Sequence, residues 1–306
     1  MNNSLTQVVD ALKGVLLGKE HEVQLALATL LAGGHLLIED LPGMGKTTLA
    51  LGLSRVLGLS HRRVQFTVDV LPSDITGMSM YRKETETFEF LPGPIFSHLL
   101  LTDEINRAMP KTQSALLEAM EEMTVSQDGE THALPRPFFV IATQNPYHHS
   151  GTYPLPESQL DRFLMSIEMG YPDATSERQL LSAGDQRGHA TELPVLCSPD
   201  QILAFHTEVQ SLHCSDSVLN YIMRLLSFSR VCEGVSVGLS PRAGLALLSA
   251  SRAWAFLMGR DFVSPEDVQI VFEPVARHRL KATQAFSGGR TNSIARTILN
   301  TVDVVG

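Results

Sequence analysis

The sequence has little of what would put a chain in a membrane, in an oxidising compartment or on a phosphate backbone. Its three cysteines, Cys197, Cys214 and Cys232, are too far apart for a metal knuckle or a redox pair. Their odd number leaves at least one free thiol, so they read as reduced core residues. No apolar run is long enough for a bilayer: the longest, Leu25 to Ile38, is broken by Gly33, Gly34 and His35 and reads as a helix followed by a buried strand. The opening Met1-Asn2-Asn3-Ser4 has no positive region ahead of an apolar core, so a secretory signal is not expected and a cytoplasmic location is. Basic charge is short as well. The 24 Lys and Arg against 33 Asp and Glu leave −9, which disfavours nucleic-acid binding unless a basic stripe forms locally.

What is present is an ordinary globular composition, 43% hydrophobic and 19% charged, over 306 residues. That length suits a larger domain with a smaller companion. Up to about Gly170, short apolar runs alternate with helical patterns, the arrangement of a parallel sheet covered by helices on both faces. The strand candidates are His35 to Glu39, Arg63 to Thr67, His98 to Thr102, Phe138 to Thr143 and Leu164 to Met169. Between the third and fourth, Leu116, Leu117, Met120 and Met123 recur at helical spacing beside a solvated face of Glu118, Glu121 and Glu122. Asp128-Gly129 then predicts a small hairpin over Thr124 to Leu134.

Beyond Tyr171-Pro172 the strand pattern disappears. Ser198-Pro199, Ser240-Pro241 and Ser264-Pro265 mark helix starts, with serine as cap and proline at the first helical position. Gln201 and Asp267, three residues after their serines, complete a capping box and a near version of one. We therefore expect an α/β domain over residues 1–171 and a helical domain over 172–306, with Gly184 to Pro194 as a connecting loop.

The chemistry sits at the ends of the expected strands. Leu41-Pro42-Gly43-Met44-Gly45-Lys46-Thr47-Thr48 follows the strand His35 to Glu39 and opens a helix. A loop in that place turns backbone N–H groups and the positive end of a helix toward phosphates. Lys46 would reach the β and γ phosphates and the Thr47 hydroxyl would ligate Mg²⁺. The general pattern begins with glycine, and Asp40 stands there instead. Leu99 to Glu104 is an apolar run ending in two acids, which places Asp103 to hold Mg²⁺ and Glu104 to polarise the attacking water. A third run, Phe139 to Asn145, ends in amides. Asn145 either bonds the γ phosphate or the water, or belongs to a turn with Pro146. Taken singly, Arg162 and Arg242 read as surface residues, although a cation in the first turn of a helix, as Arg242 is, favours a nearby anion. His148-His149 reads as loop, and Met78, Met80 and Tyr81 as packing or as a pore or partner contact.

These motifs, with Phe90-Leu91-Pro92-Gly93-Pro94-Ile95-Phe96, Asp103 to Ala108, Leu155 to Phe163 and Leu239 to Arg242, resemble the MoxR family of AAA+ ATPases, in the magnesium-chelatase-like branch. The resemblance covers nearly the whole chain, and Asp40 looks normal for it. It implies a five-stranded parallel sheet followed by a smaller helical lid, and ATP hydrolysis with Mg²⁺. It makes Asn145 sensor 1, Arg162 the arginine finger reaching a neighbour's γ phosphate, and Arg242 sensor 2 from the lid. It further implies a homo-oligomeric ring, expected to be a hexamer, chaperone-like remodelling of a client protein, and a von Willebrand factor A domain partner. Gly77 to Gly93 and Thr124 to Leu134 look like the loops that this branch adds. The rival readings are a nucleic-acid motor, a magnesium-chelatase-like motor subunit, and a nucleotide-gated binding module with little hydrolysis.

Overall fold

The computed structural model describes residues 3–145, 151–184, 187–283 and 291–305. Its helices are α1 (Asn3–Lys13), α2 (Glu20–Leu31), α3 (Lys46–Val56), α4 (Pro72–Thr76), α5 (Pro110–Glu122), α6 (Glu157–Leu160), α7 (Ala174–Ala183), α8 (Arg187–Glu192), α9 (Pro199–Ser211), α10 (Asp216–Ser229), α11 (Pro241–Leu257), α12 (Pro265–Ala276) and α13 (Thr291–Thr301). The strands are β1 (Leu36–Glu39), β2 (His61–Gln65), β3 (Gly77–Arg82), β4 (Thr87–Pro92), β5 (Leu99–Asp103), β6 (Thr124–Gln127), β7 (Glu130–Ala133), β8 (Phe139–Gln144), β9 (Met165–Ile167), β10 (Val235–Val237) and β11 (Lys281–Ala282).

Five strands make one sheet in the order β2-β5-β8-β1-β9, with every neighbouring pair parallel. Successive strand residues face opposite ways. Leu36, Ile38, Leu99, Leu101, Phe139 and Ile141 enter one core, shared with α1, α2, α3 and the C-terminal helices. Leu37, Leu100, Val140 and Ala142 enter the other, against Leu116, Leu117 and Met120 of α5. A sheet buried on both faces needs apolar residues at every position, which is why its strands read as continuous runs. The edge strand β2 departs from this: it begins at His61 rather than the expected Arg63 and is polar except at Val64. Its ladder ends at Gln65 opposite Asp103, and Phe66 then buries its ring.

The three Ser-Pro pairs open α9, α11 and α12. Ser198 and Gln201 exchange the reciprocal bonds of a capping box, and the Asp267 carboxylate takes the Ser264 N–H at 2.8 Å. Two expectations for this half need correction. The stretch 184–194 is not all loop but carries α8, whose Ala190 is fully buried; packing against α3, not local propensity, makes that turn helical. Strands do not vanish entirely either, because β10 and β11 form a small antiparallel pair too short to leave a period-two pattern. Cys197, Cys214 and Cys232 are free thiols, the first and third buried.

Two hairpins project from the α/β part. In β6–β7 the turn residues Asp128 and Gly129 have φ of 53° and 83°, the left-handed backbone that an Asp-Gly turn supplies. Gly77 to Pro92 is likewise a hairpin, β3 against β4. Phe90 of β4 stacks on His132 of β7 at 3.9 Å and 8°, so the two hairpins share a joint. Met78, Met80 and Tyr81 are exposed on the first, and Phe88 is 74% exposed. His148-His149 lies outside the described residues.

His35 locks the start of β1. Its Nδ1 accepts the Val140 N–H at 3.1 Å and its Nε2 donates to the Met120 carbonyl at 3.2 Å, so the ring must be neutral. Burial holds its pKa at about 4, below the ordinary 6.5. Between those values the unfolded chain binds a proton that the folded chain refuses, and stability falls as pH drops through the window. His35 should therefore remove about 2 kcal/mol between pH 7 and pH 5. His35→Gln, which keeps a donor and an acceptor but does not titrate, is expected to flatten the pH slope of urea unfolding by that amount; an unchanged slope would remove the assignment.

Candidate functional site

β1 ends at Glu39 and the chain passes through Asp40 to Gly45 before α3 begins at Lys46. Gly43 and Gly45 have φ of 90° and 89°, which side-chain-bearing residues avoid, and open space surrounds Gly43 where a Cβ would stand. Gly45 is the N-cap of α3 and has no side chain to cap the helix, so the first-turn N–H groups depend on something else for an acceptor.

Asp40 explains its own presence in the loop. One carboxylate oxygen accepts the Leu41 N–H at 2.7 Å and the other accepts the Gly170 N–H at 2.6 Å, just past β9. A glycine could do neither. Lys46 Nζ donates to the Asp40 carbonyl at 2.8 Å. Burial lowers the Lys46 pKa, opposed by the negative charges of Asp40, Asp103 and Glu104.

Two strands away, Asp103 closes β5 and Glu104 takes a left-handed backbone, φ 57° and ψ 49°, before the 3₁₀ turn Ile105–Arg107. A non-glycine residue held there costs about 1–3 kcal/mol, and such strain gathers at functional sites. Asp103 is nearly buried and paired with Arg63 Nε at 2.7 Å. The Thr143 hydroxyl bridges the two acids, donating to Asp103 at 3.3 Å and accepting the Glu104 N–H at 3.0 Å. Glu104 in turn accepts from Gln65 at 3.1 Å and from Arg107 at 2.9 Å.

All of this faces one cavity of about 440 Å³. Pro42 to Thr48, Asp103, Glu104 and Asn145 line it. Leu41 does not, since its N–H is turned toward Asp40. Sequence reasoning missed the remaining walls. Arg63 and Gln65 come from β2, where alternating polar residues on an edge strand were the available signal. Val15, Leu16 and Leu17, with Pro172 and Leu180, form an apolar side that no local pattern announces.

Arg162 and Arg242 are not in this cavity. They meet at Glu121 near the end of α5: Arg162 Nη2 lies 3.0 Å from one carboxylate oxygen and Arg242 Nη1 3.2 Å from the other. Arg242 also lies 3.5 Å from Asp161. The anion expected beside Arg242 is thus a pair of protein carboxylates, and its side chain is half exposed. Both arginines line a second cavity of about 380 Å³ with Glu121 and Asp161.

The model of the ATPase family associated with various cellular activities (AAA) matches residues 35–165, and the AAA lid domain matches residues 227–298. Over 291 residues the chain is 39% identical to the chaperone MoxR1 of Mycobacterium tuberculosis (strain ATCC 25618 / H37Rv), covering 92% of this chain and 76% of that one. The chain belongs to the MoxR family of AAA ATPases. It is also 45% identical over 304 residues to YeaC of Bacillus subtilis (strain 168), covering 98% and 94% of the two chains. A crystal structure from Cytophaga hutchinsonii ATCC 33406 superposes with a TM-score of 0.90 at 35% identity, covering 98% of this chain and 94% of that one. Like other AAA ATPases, a MoxR-family chain implies nucleotide binding. Among the described residues no helix is long and apolar enough to cross a membrane.

In this MoxR-family chain Asp40 is a test of the loop's construction. Asp40→Ala should lose about 1–3 kcal/mol of stability without nucleotide, as two backbone donors lose their acceptor, and Asp40→Asn, which keeps one oxygen, should lose less. Chemical unfolding of the two variants checks the order; equal stability to the parent chain would show that the loop does not lean on this carboxylate.

Proposed function

We propose that this chain binds ATP with Mg²⁺ and hydrolyses it at the first cavity. One observation carries this reading: Lys46, Thr47, Asp103, Glu104 and Asn145, from three separate stretches of the sequence, line the same space. Lys46 meets the β and γ phosphates as a point charge, and the loop N–H groups with the start of α3 hold the rest of the chain of phosphates. The apolar wall of Val15, Leu16, Leu17 and Leu180 takes the base. Thr47 and Asp103 supply the hard oxygen ligands that Mg²⁺ favours; the ion, when bound, would neutralise charge on the β and γ phosphates. Among the described residues no group of three or more His, Cys, Asp or Glu could cage a metal, which suits an ion held largely by phosphate and water. Glu104 orients the attacking water, with Gln65 and Thr143 fixing its carboxylate and its N–H. Asn145 bonds the γ phosphate or that water.

Arg162 and Arg242 share Glu121 on a different cavity from Lys46, which supports a role for both on a neighbouring subunit. The proposal therefore includes a ring, with a hexamer as the expected number, in which each subunit completes the next one's site. It divides the chain into a nucleotide-binding domain, 1–171, and a lid, 172–306. It extends to remodelling of a client protein in the cytoplasm with a von Willebrand factor A domain partner. A relative named as a chaperone supports the first part and the free thiols suit the compartment.

Glu104→Gln should keep ATP affinity and slow steady-state hydrolysis by about 10²-fold or more; an unchanged rate removes Glu104 from its role. Arg162→Ala should bind ATP yet turn over about 10³-fold more slowly or worse. Mixing it with Lys46→Ala subunits, which still carry Arg162, should restore activity. Mixed assemblies that stay silent would mean that no arginine crosses between subunits.

A further inference from the structure

Three consecutive residues just past α12, Arg277-His278-Arg279, were given no role by the sequence and lie outside both the loop and the acid pair. All three reach across to residues 161–168. Arg277 pairs with Glu168, and the His278 Nε2 meets the Phe163 carbonyl at 3.0 Å. Arg279, only 5% exposed, is the centre of the contact. A guanidinium has five N–H donors. Here Nε donates to the Asp161 carboxylate at 2.6 Å; Nη1 donates to the Leu164 carbonyl at 3.0 Å and the Val275 carbonyl at 2.6 Å; Nη2 donates to the Asp161 carbonyl at 3.2 Å and the Phe163 carbonyl at 2.7 Å. No donor is left over.

The residue enclosed by these contacts is Arg162. Peptide units are rigid planes, so fixing the carbonyls of Asp161 and Phe163 fixes the planes on either side of the Arg162–Phe163 peptide and leaves its backbone little freedom. Leu164 is pinned as well, its N–H donating to the His35 carbonyl at 2.8 Å. The Asp161 carboxylate is shared: Arg279 holds one oxygen and Arg242 approaches the other. Anchoring the segment only through its side chains would let the backbone carbonyls seek water; a buried fork with acceptors on every donor does not.

We infer that Arg279 is the positioning residue that fixes the backbone from which Arg162 exchanges Glu121 for a neighbouring subunit's nucleotide, so that the C-terminal helices of one chain set the chemistry of the site on the next. This rests on the reading of Arg162 as a residue that acts on a neighbour.

The test uses Arg279→Lys, which keeps the positive charge but cannot hold the carbonyls of Phe163 and Leu164 at once, and Asp161→Asn, which leaves Arg279 its carbonyl partners and weakens its anchor. Each is compared with Arg162→Ala, alone and mixed with Lys46→Ala subunits that carry intact Arg162 and Arg279. The expected result is unchanged binding of a fluorescent ATP analogue, a loss of turnover of about 10²-fold for Arg279→Lys with a smaller loss for Asp161→Asn, and recovery of several-fold or more on mixing. Full turnover in both variants overturns the inference. So does a loss that mixing fails to repair while Arg162→Ala is repaired, since Arg279 would then serve its own site or only the fold. Failure of Arg162→Ala itself to be repaired overturns the neighbour reading and this inference with it.

Discussion

An ammonium group half withdrawn from water must be met by negative charge, and the site is arranged around that demand. Lys46 leaves solvent at the start of α3, where the helix already presents positive partial charge, and burial works against its protonated form. Three carboxylates answer it: Asp40 from the loop, Asp103 and Glu104 from the end of β5. The acids in turn are held by Arg63, Thr143, Gln65 and Arg107. Charge balance thus joins the tips of β1, β2, β5 and β8 into one edge. The parallel order of the sheet makes this possible, because only parallel neighbours bring their carboxyl ends together.

Much of this edge could be read from the sequence because burial on both faces turns each strand into an apolar run that ends in polar residues. Glu39, Asp103 and Gln144 all announce themselves that way. Where a strand is at the edge of the sheet the signal fails: β2 is mostly polar, its bounds shifted, and its contributions Arg63 and Gln65 went unnoticed. The apolar wall from Val15 to Leu17 was invisible for a different reason. It lies before the sheet begins and meets Leu180 only through tertiary folding, about which periodicity says nothing. Likewise α8 is helical by virtue of burying Ala190 against α3. The placing of Arg242 shows the same limit. Its helix start was legible from Ser240-Pro241, but that it would share Glu121 with Arg162 depends on how α11 packs.

Asp40 illustrates how a departure from a general pattern can be explained by local chemistry. The loop needs glycine only where φ is positive or where backbone must come close to a ligand, and Gly43 and Gly45 meet those needs. At position 40 a carboxylate does more than a hydrogen atom could, since it ties the loop to Gly170, where the chain leaves the sheet. Lys19 works on the same crossing from the other side, donating to the carbonyls of Met169 and Tyr171. The passage from sheet to C-terminal helices is therefore clasped by an acid and a base, both removed from solvent.

The stacked rings of Phe90 and His132 have a mechanical meaning. The second hairpin starts at Thr124, immediately after Met123 closes α5 in a left-handed turn, and Glu121 lies within that last helical turn. The end of α5 that grips the two arginines is therefore also the root of β6 and β7, and the ring-on-ring joint ties that root to the outer hairpin, so an unbroken run of contacts leads from the arginine pair to the hairpin that carries the exposed Phe88.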